Sequence, residues 1–191
     1  MKPSAGEFFV GLDLGQKRDF TTLAVVERLC SSLPCFHLRY LERLNLNTSY
    51  PAVAERVRDL FAKVALRGKT TLVMDVTGVG VPVYDLLHAR GVRPVAVTIT
   101  GGRSISGIGS QLRVPKGTLI GTLAKLFETG RLKLAAGIPN AAELIEELLN
   151  MQVKIHRRTR QESYGAKGSQ KHDDLVLALA LAVWYAEKAN S

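Results

Sequence analysis

Residues 169–189 read SQKHDDLVLALALAVWYAEKA, polar as far as position 174 and then almost uniformly apolar. A helix that is apolar on every side cannot lie on a protein surface, so this one must be buried against a sheet. No apolar stretch of the chain reaches the ~18 residues of a membrane span, and the opening MKPSAGEFF lacks the apolar core of a signal peptide. A soluble, cytosolic protein is expected. At 191 residues the chain has room for a single domain, 1–191, with a full hydrophobic core.

The sheet that must cover this helix is legible upstream. Phe8–Leu14, Thr22–Arg28 and Phe36–Leu44 are short apolar and β-branched runs with tight connections between them, the pattern of an antiparallel three-strand meander. Val53, Val57, Leu60, Phe61 and Val64 then recur at helical spacing, with Thr48 or Ser49 as the cap and Gly68 closing the helix. Thr70–Val76 reads as a buried strand carrying Asp75 near its end, Val81–Ala89 as a helix and Val92–Ile99 as a further strand, which makes a parallel crossover. Residues 100–117, rich in glycine and serine, read as a mobile loop. Helices over Leu119–Phe127 and Ala141–Leu149 and a polar, basic hairpin over Gln152–Tyr164 precede the final helix. The expected fold class is α/β, a mixed five-stranded sheet flanked by helices.

Four carboxylates fall inside or against apolar runs: Asp13 in the first strand, Asp75 at the end of the fourth, and Asp173 and Asp174 at the start of the last helix. Each has a bland reading by itself, as a helix cap or a strand-ending turn. If the first and fourth strands are neighbours and the last helix crosses them, the carboxylates converge. Converging carboxylates raise one another's pKa and are best stabilised by a divalent cation with oxygen ligands, Mg²⁺ or Mn²⁺. Asp19 is an outer-shell carboxylate or only a turn cap. Lys171 and His172 stand beside the acidic pair, either orienting water and neutralising phosphate or simply solvated.

The net charge of +9 and a pI near 9.8 favour a polyanionic partner. Lys154, Arg157, Arg158, Arg160, Lys167 and Lys171 crowd the segment just before the last helix, a spacing suited to sequence-independent contact with DNA phosphates. Arg103 and Arg113 add positive charge to the glycine-rich stretch. The two cysteines, Cys30 and Cys35, have no metal-binding companions and read as ordinary reduced thiols.

Four stretches in this order, VGLDLGQKRDFTTLAVV, VMDVTGVGVPVYDLL, RVPKGTLIGTLAKLFETGRLKL and HDDLVLALALAVW, resemble the nuclease domain of the large terminase subunit of tailed phages, in the RNase H-like (retroviral integrase) superfamily. The resemblance runs from residue 10 to residue 184. It implies an RNase H-like sheet and a two-metal endonuclease that cuts double-stranded DNA concatemers during viral genome packaging. By position, it implies Asp13, Asp75 and Asp174 as ligands, with Asp13 bridging both ions and Asp173 an additional or alternative ligand. Its implied partners are double-stranded DNA, a packaging ATPase domain, the small terminase subunit and the portal, in the cytoplasm of a bacterial host.

An ATPase is not expected within this chain, because Lys63 stands where a phosphate-binding loop ending in Gly68-Lys69-Thr70 needs its first glycine. Other readings are a Holliday-junction resolvase or transposase-like nuclease of the same fold, and a non-catalytic DNA-binding module. An actin-like or sugar-kinase phosphate site is the remaining one; it needs a second such motif and a longer chain.

Overall fold

The computed structural model describes residues 6–15, 19–29, 33–63, 66, 69–78, 80–156, 161–166 and 172–189, with 152–156 and 161–166 as backbone only. Cys30, Val64, Gly68, Arg157, Arg158, Arg160, Lys167 and Lys171 lie outside the described residues, as does the side chain of Lys154.

The meander forms as expected: β1 (Glu7–Asp13), β2 (Thr22–Leu29) and β3 (Cys35–Arg43) pair in antiparallel succession. Helix α1 (Tyr50–Ala62) starts at Ser49, whose hydroxyl accepts from the Ala52 N–H, and carries Pro51 in its first turn, where no N–H is needed. β4 (Thr70–Asp75) returns parallel to β1, and helix α2 (Gly80–Ala89) leads to β5 (Val95–Thr100), parallel to β4.

Residues 100–117 depart from the mobile loop expected. They hold β6 (Ser106–Ile108) and β7 (Gln111–Pro115), an antiparallel pair whose second strand runs parallel to β5. The glycines serve geometry: Gly107 and Gly109 take φ of 129° and 59°, values that suit glycine, while Leu112 and Val114 alternate into the core.

Then come α3 (Lys116–Glu128), β8 (Leu132–Leu134) parallel to β3, α4 (Ala141–Asn150), the separate hairpin β9 (Met151–His156) and β10 (Gln161–Ala166), and α5 (Asp174–Lys188). The five expected strands sit at the centre of an eight-stranded mixed sheet, ordered β6-β7-β5-β4-β1-β2-β3-β8. Among the described residues no helix is long and apolar enough to cross a membrane.

Strand alternation divides the core into two layers. Val10, Leu12, Leu72 and Met74 face α1 and α2, packing with Val53, Val57, Val83 and Leu87. Phe9, Val73 and Val97 face the other side, where Leu119 and Leu123 of α3, Leu144 of α4 and nearly every residue of α5 lie. Asp13 has the parity of Phe9, and Asp75 that of Val73. Both carboxylates therefore belong to the α5 face.

Gly11 lets α5 come down onto that face. A Cβ at this position would stand 1.8 Å from the Ala178 carbonyl oxygen and 3.1 Å from the Ala182 nitrogen, both backbone atoms of α5. Gly11→Ala is expected to force α5 off β1 and lower stability by roughly 1–3 kcal/mol, the usual cost of overpacking a core. A urea midpoint equal to that of the parent protein would contradict this close contact.

Candidate metal centre

The pairing of β1 with β4 sets Leu12 opposite Met74, so the next residues, Asp13 and Asp75, leave neighbouring parallel strands at the same end of the sheet. Asp13 is 7% exposed and Asp174 5% exposed, against the half-buried Asp75. Burial first, then the carboxylates of Asp75, Asp174 and Asp173 in that order, hold the Asp13 carboxyl well above its ordinary 3.8, while Lys116 pulls it down. One carboxylate thus feels the other three proposed from the sequence.

Asp75 is fixed by a turn beyond β4. Its Oδ1 accepts from the Thr77 N–H at 2.8 Å and the Thr77 hydroxyl at 2.5 Å, and Thr77 Oγ1 accepts in turn from the Ile99 N–H at 2.9 Å. Burial raises the Asp75 pKa, and the Thr77 hydrogen bonds oppose the rise.

Asp174 opens α5. Its Oδ2 accepts from the Phe20 N–H at 3.2 Å and lies 3.5 Å from His172 Nδ1, which is 3.8 Å from Asp19 Oδ1. The His172 ring meets Phe20 edge-on, with centroids 5.1 Å apart. Asp19, His172 and Asp174 each bring a ligand atom within 4.8 Å of the others, the one such group of three among the described residues. That group excludes Asp13 and Asp75; Asp174 belongs to it and also acts on the Asp13 carboxyl. Burial raises the Asp174 pKa as well, opposed by the Phe20 N–H and His172.

The adjacent aspartates separate cleanly. Asp173 turns to Lys116, whose Nζ donates to its Oδ2 at 2.6 Å, while Asp174 faces the turn between β1 and β2. Lys116, the first residue of α3, lowers the pKa of both Asp13 and Asp75. Sequence reasoning missed it. Its signal is a cation in the first turn of a helix with no acid there, the end that the helix dipole disfavours for positive charge. Glu147 was missed too: 8% exposed, it receives the Leu175 and Val176 N–H groups, and burial pushes it up to about 7. A glutamate on the buried face of α4, three residues after Leu144, was the available sign.

Of the basic residues proposed for DNA, Lys154 is described in backbone only, within β9, and the rest lie outside the described residues; Arg103 and Arg113 are exposed. The donor set around Asp13 is oxygen-rich, mostly carboxylate and crowded with like charge, which suits Mg²⁺ or Mn²⁺ better than a thiol-seeking metal.

No family model and no curated protein matches the sequence. Solved structures do. The large terminase nuclease of thermophilic phage G20c superimposes with a TM-score of 0.66 at 24% identity, over 93% of this chain and 81% of that one. The Mn-soaked human cytomegalovirus terminase nuclease domain gives 0.57 at 15% identity, over 98% and 86%. Thermus thermophilus RuvC gives 0.51 at 14%, over 95% and 94%. The fold is therefore RNase H-like, as the sequence implied.

A buried carboxyl with a raised pKa keeps its proton in the folded chain over a pH range where the unfolded chain has lost it. Stability from such a group falls as pH rises from 3.8 through the folded value, and the ionised group is a liability at pH 7. Without added metal, Asp13→Asn should melt above the parent protein at pH 7, and that gain should vanish below pH 3.8. Added Mn²⁺ should raise the melting temperature of the parent alone. Scanning calorimetry across pH checks both; a variant that melts lower at pH 7 would contradict the burial argument.

Proposed function

We propose that this chain, one unit across residues 1–191, is a divalent-metal-dependent endonuclease. It cleaves double-stranded DNA with little sequence specificity, as the nuclease of a viral genome-packaging terminase. The reading is carried by Asp13 and Asp75, which leave neighbouring parallel strands at the same end of an RNase H-like sheet, where Asp13 also feels the charge of Asp174 at the start of α5. It draws support from the fold shared with the G20c nuclease and with a cytomegalovirus domain whose crystals were soaked with Mn.

Asp13, Asp75 and Asp174 would hold two Mg²⁺ or Mn²⁺ ions. Bound ions of this kind lower the pKa of an attacking water and stabilise the leaving 3′ oxygen of an in-line displacement at phosphorus. The protein's part is orientation. Thr77 fixes the Asp75 carboxylate, the Phe20 N–H fixes Asp174, and His172, between Asp19 and Asp174, would orient water. Lys116, paired with Asp173, supplies a nearby cation that offsets the crowded negative charge. Lys154, Arg157, Arg158, Arg160, Lys167 and Lys171 serve as phosphate contacts along the duplex. In this setting the further partners are a packaging ATPase, the small terminase subunit and the portal, in the host cytoplasm.

The fold shared with RuvC favours a second reading, a nuclease selective for branched DNA. Incubation with supercoiled plasmid and Mg²⁺ or Mn²⁺ should nick and then linearise it, and Asp75→Ala should abolish cutting. Cleavage confined to four-way junctions would replace the packaging reading with the resolvase one. Intact plasmid and junction under both metals would leave a DNA-binding module, and undiminished cutting by Asp75→Ala would remove the proposed site.

A further inference from the structure

A helix whose first turn is buried must find acceptors for its free N–H groups, and aspartate is among the residues best suited to supply them. Two aspartates stand at the start of α5, yet neither does so. Asp173, at the N-cap position, makes no capping hydrogen bond from its side chain and is drawn away by Lys116. Asp174 is turned toward Phe20.

The acceptor comes from another helix. Glu147 Oε2 of α4 receives the Leu175 N–H at 3.0 Å and the Val176 N–H at 3.1 Å. Its Oε1 is ion-paired with Arg43 of β3. The Arg43 guanidinium lies over the Phe20 ring, 4.8 Å from the centroid, and the Phe20 N–H holds Asp174. The contacts close a circuit from Glu147 through α5 and Asp174 to Phe20, Arg43 and back to Glu147.

This circuit is not an economical way to gain stability. A buried ion pair is commonly matched or bettered by apolar packing, and the buried Arg43 Nε has no hydrogen-bond partner among the described residues. What the circuit does achieve is specific: capping of α5 passes to Glu147, leaving the Asp174 carboxylate available.

We infer that Glu147 and Arg43 are positioning residues of the metal centre, capping α5 in place of its own aspartates and setting the Asp174 carboxylate through Phe20. The inference rests on the reading of Asp174 as a metal ligand. Neither residue touches the metals; each acts through another.

The test is Mn²⁺ binding by titration calorimetry to the full chain, well below its melting temperature, for Glu147→Gln, Arg43→Met and the double variant. Removing such supporting contacts is expected to weaken Mn²⁺ about tenfold. The double variant should bind no more weakly than the worse single one, because the two act through one circuit. In plasmid cleavage, kcat should fall while the KM for DNA stays constant. Phe20→Leu, which keeps the N–H and removes the ring under Arg43, should weaken Mn²⁺ in the same direction and decides the matter if the other variants do not fold. Variants that melt lower but bind Mn²⁺ like the parent, or losses that simply add in the double variant, would overturn the inference. A parent protein that binds no Mn²⁺ would overturn the ligand reading itself, and the positioning role with it.

Discussion

The seating of α5 on β1 is the contact on which the rest depends. A helix apolar on all sides is stable only when covered all round, and it is covered by the sheet below and by α3 and α4 beside it. Gly11 allows the helix backbone to approach the strand, and Asp13 follows two residues later on the same face. Both helix ends are finished by other elements. Glu147 receives the first N–H groups, and Arg28, 8% exposed, donates to the Ala186 carbonyl at 2.7 Å. A negative group at the N-terminus and a positive one at the C-terminus are the signs that the helix dipole favours. The ion pair of Arg131 with Glu187, at 2.8 and 2.9 Å, ties the last turn of α5 to the connection between α3 and β8.

The same packing brings like charges together. Asp13, Asp75 and Asp174 each carry a raised pKa for which burial is the first cause, so the fold works against itself at this point. A stability-driven core would place apolar side chains there. Instead Thr77 donates to Asp75 and the Phe20 N–H to Asp174, and Lys116 lowers both Asp13 and Asp75. Local destabilisation concentrated at one end of an otherwise apolar core is the usual mark of a working site.

Much of this was legible in the sequence where a period could express it. Strand alternation revealed the meander and the parallel pair, and helical spacing revealed four helices and the burial of the fifth. Glycine misled: Gly107 and Gly109 read as mobility, whereas they build the turn that sets β7 on the edge of β5. β8 has only three residues, too few to show a period. Lys116 and Glu147 were out of reach for another reason. Each matters through a partner 57 or 28 residues away, Asp173 and Leu175, and no local pattern records such a pairing. The different partners of Asp173 and Asp174, Lys116 and Phe20, likewise follow from what stands on either side of the helix start.

The site's place at the carboxyl ends of β1 and β4 follows from connectivity more than from any loop. β1 leaves toward β2 on one side, and β4 leaves through α2 toward β5 on the other, so no connection crosses the gap between them. In sheets with parallel strands such a divergence opens a crevice at the strand ends, where ligands are commonly bound. α2 starts hard against that edge, since a Cβ at Gly80 would lie 2.5 Å from the Asp75 carbonyl oxygen. With α2 drawn to the opposite face, the α5 face remains for Asp13 and Asp75. α5 then enters with Asp174 at its head. Three segments remote in sequence thus bring carboxylates to the same end of the sheet, near enough for Asp75 and Asp174 to act on Asp13.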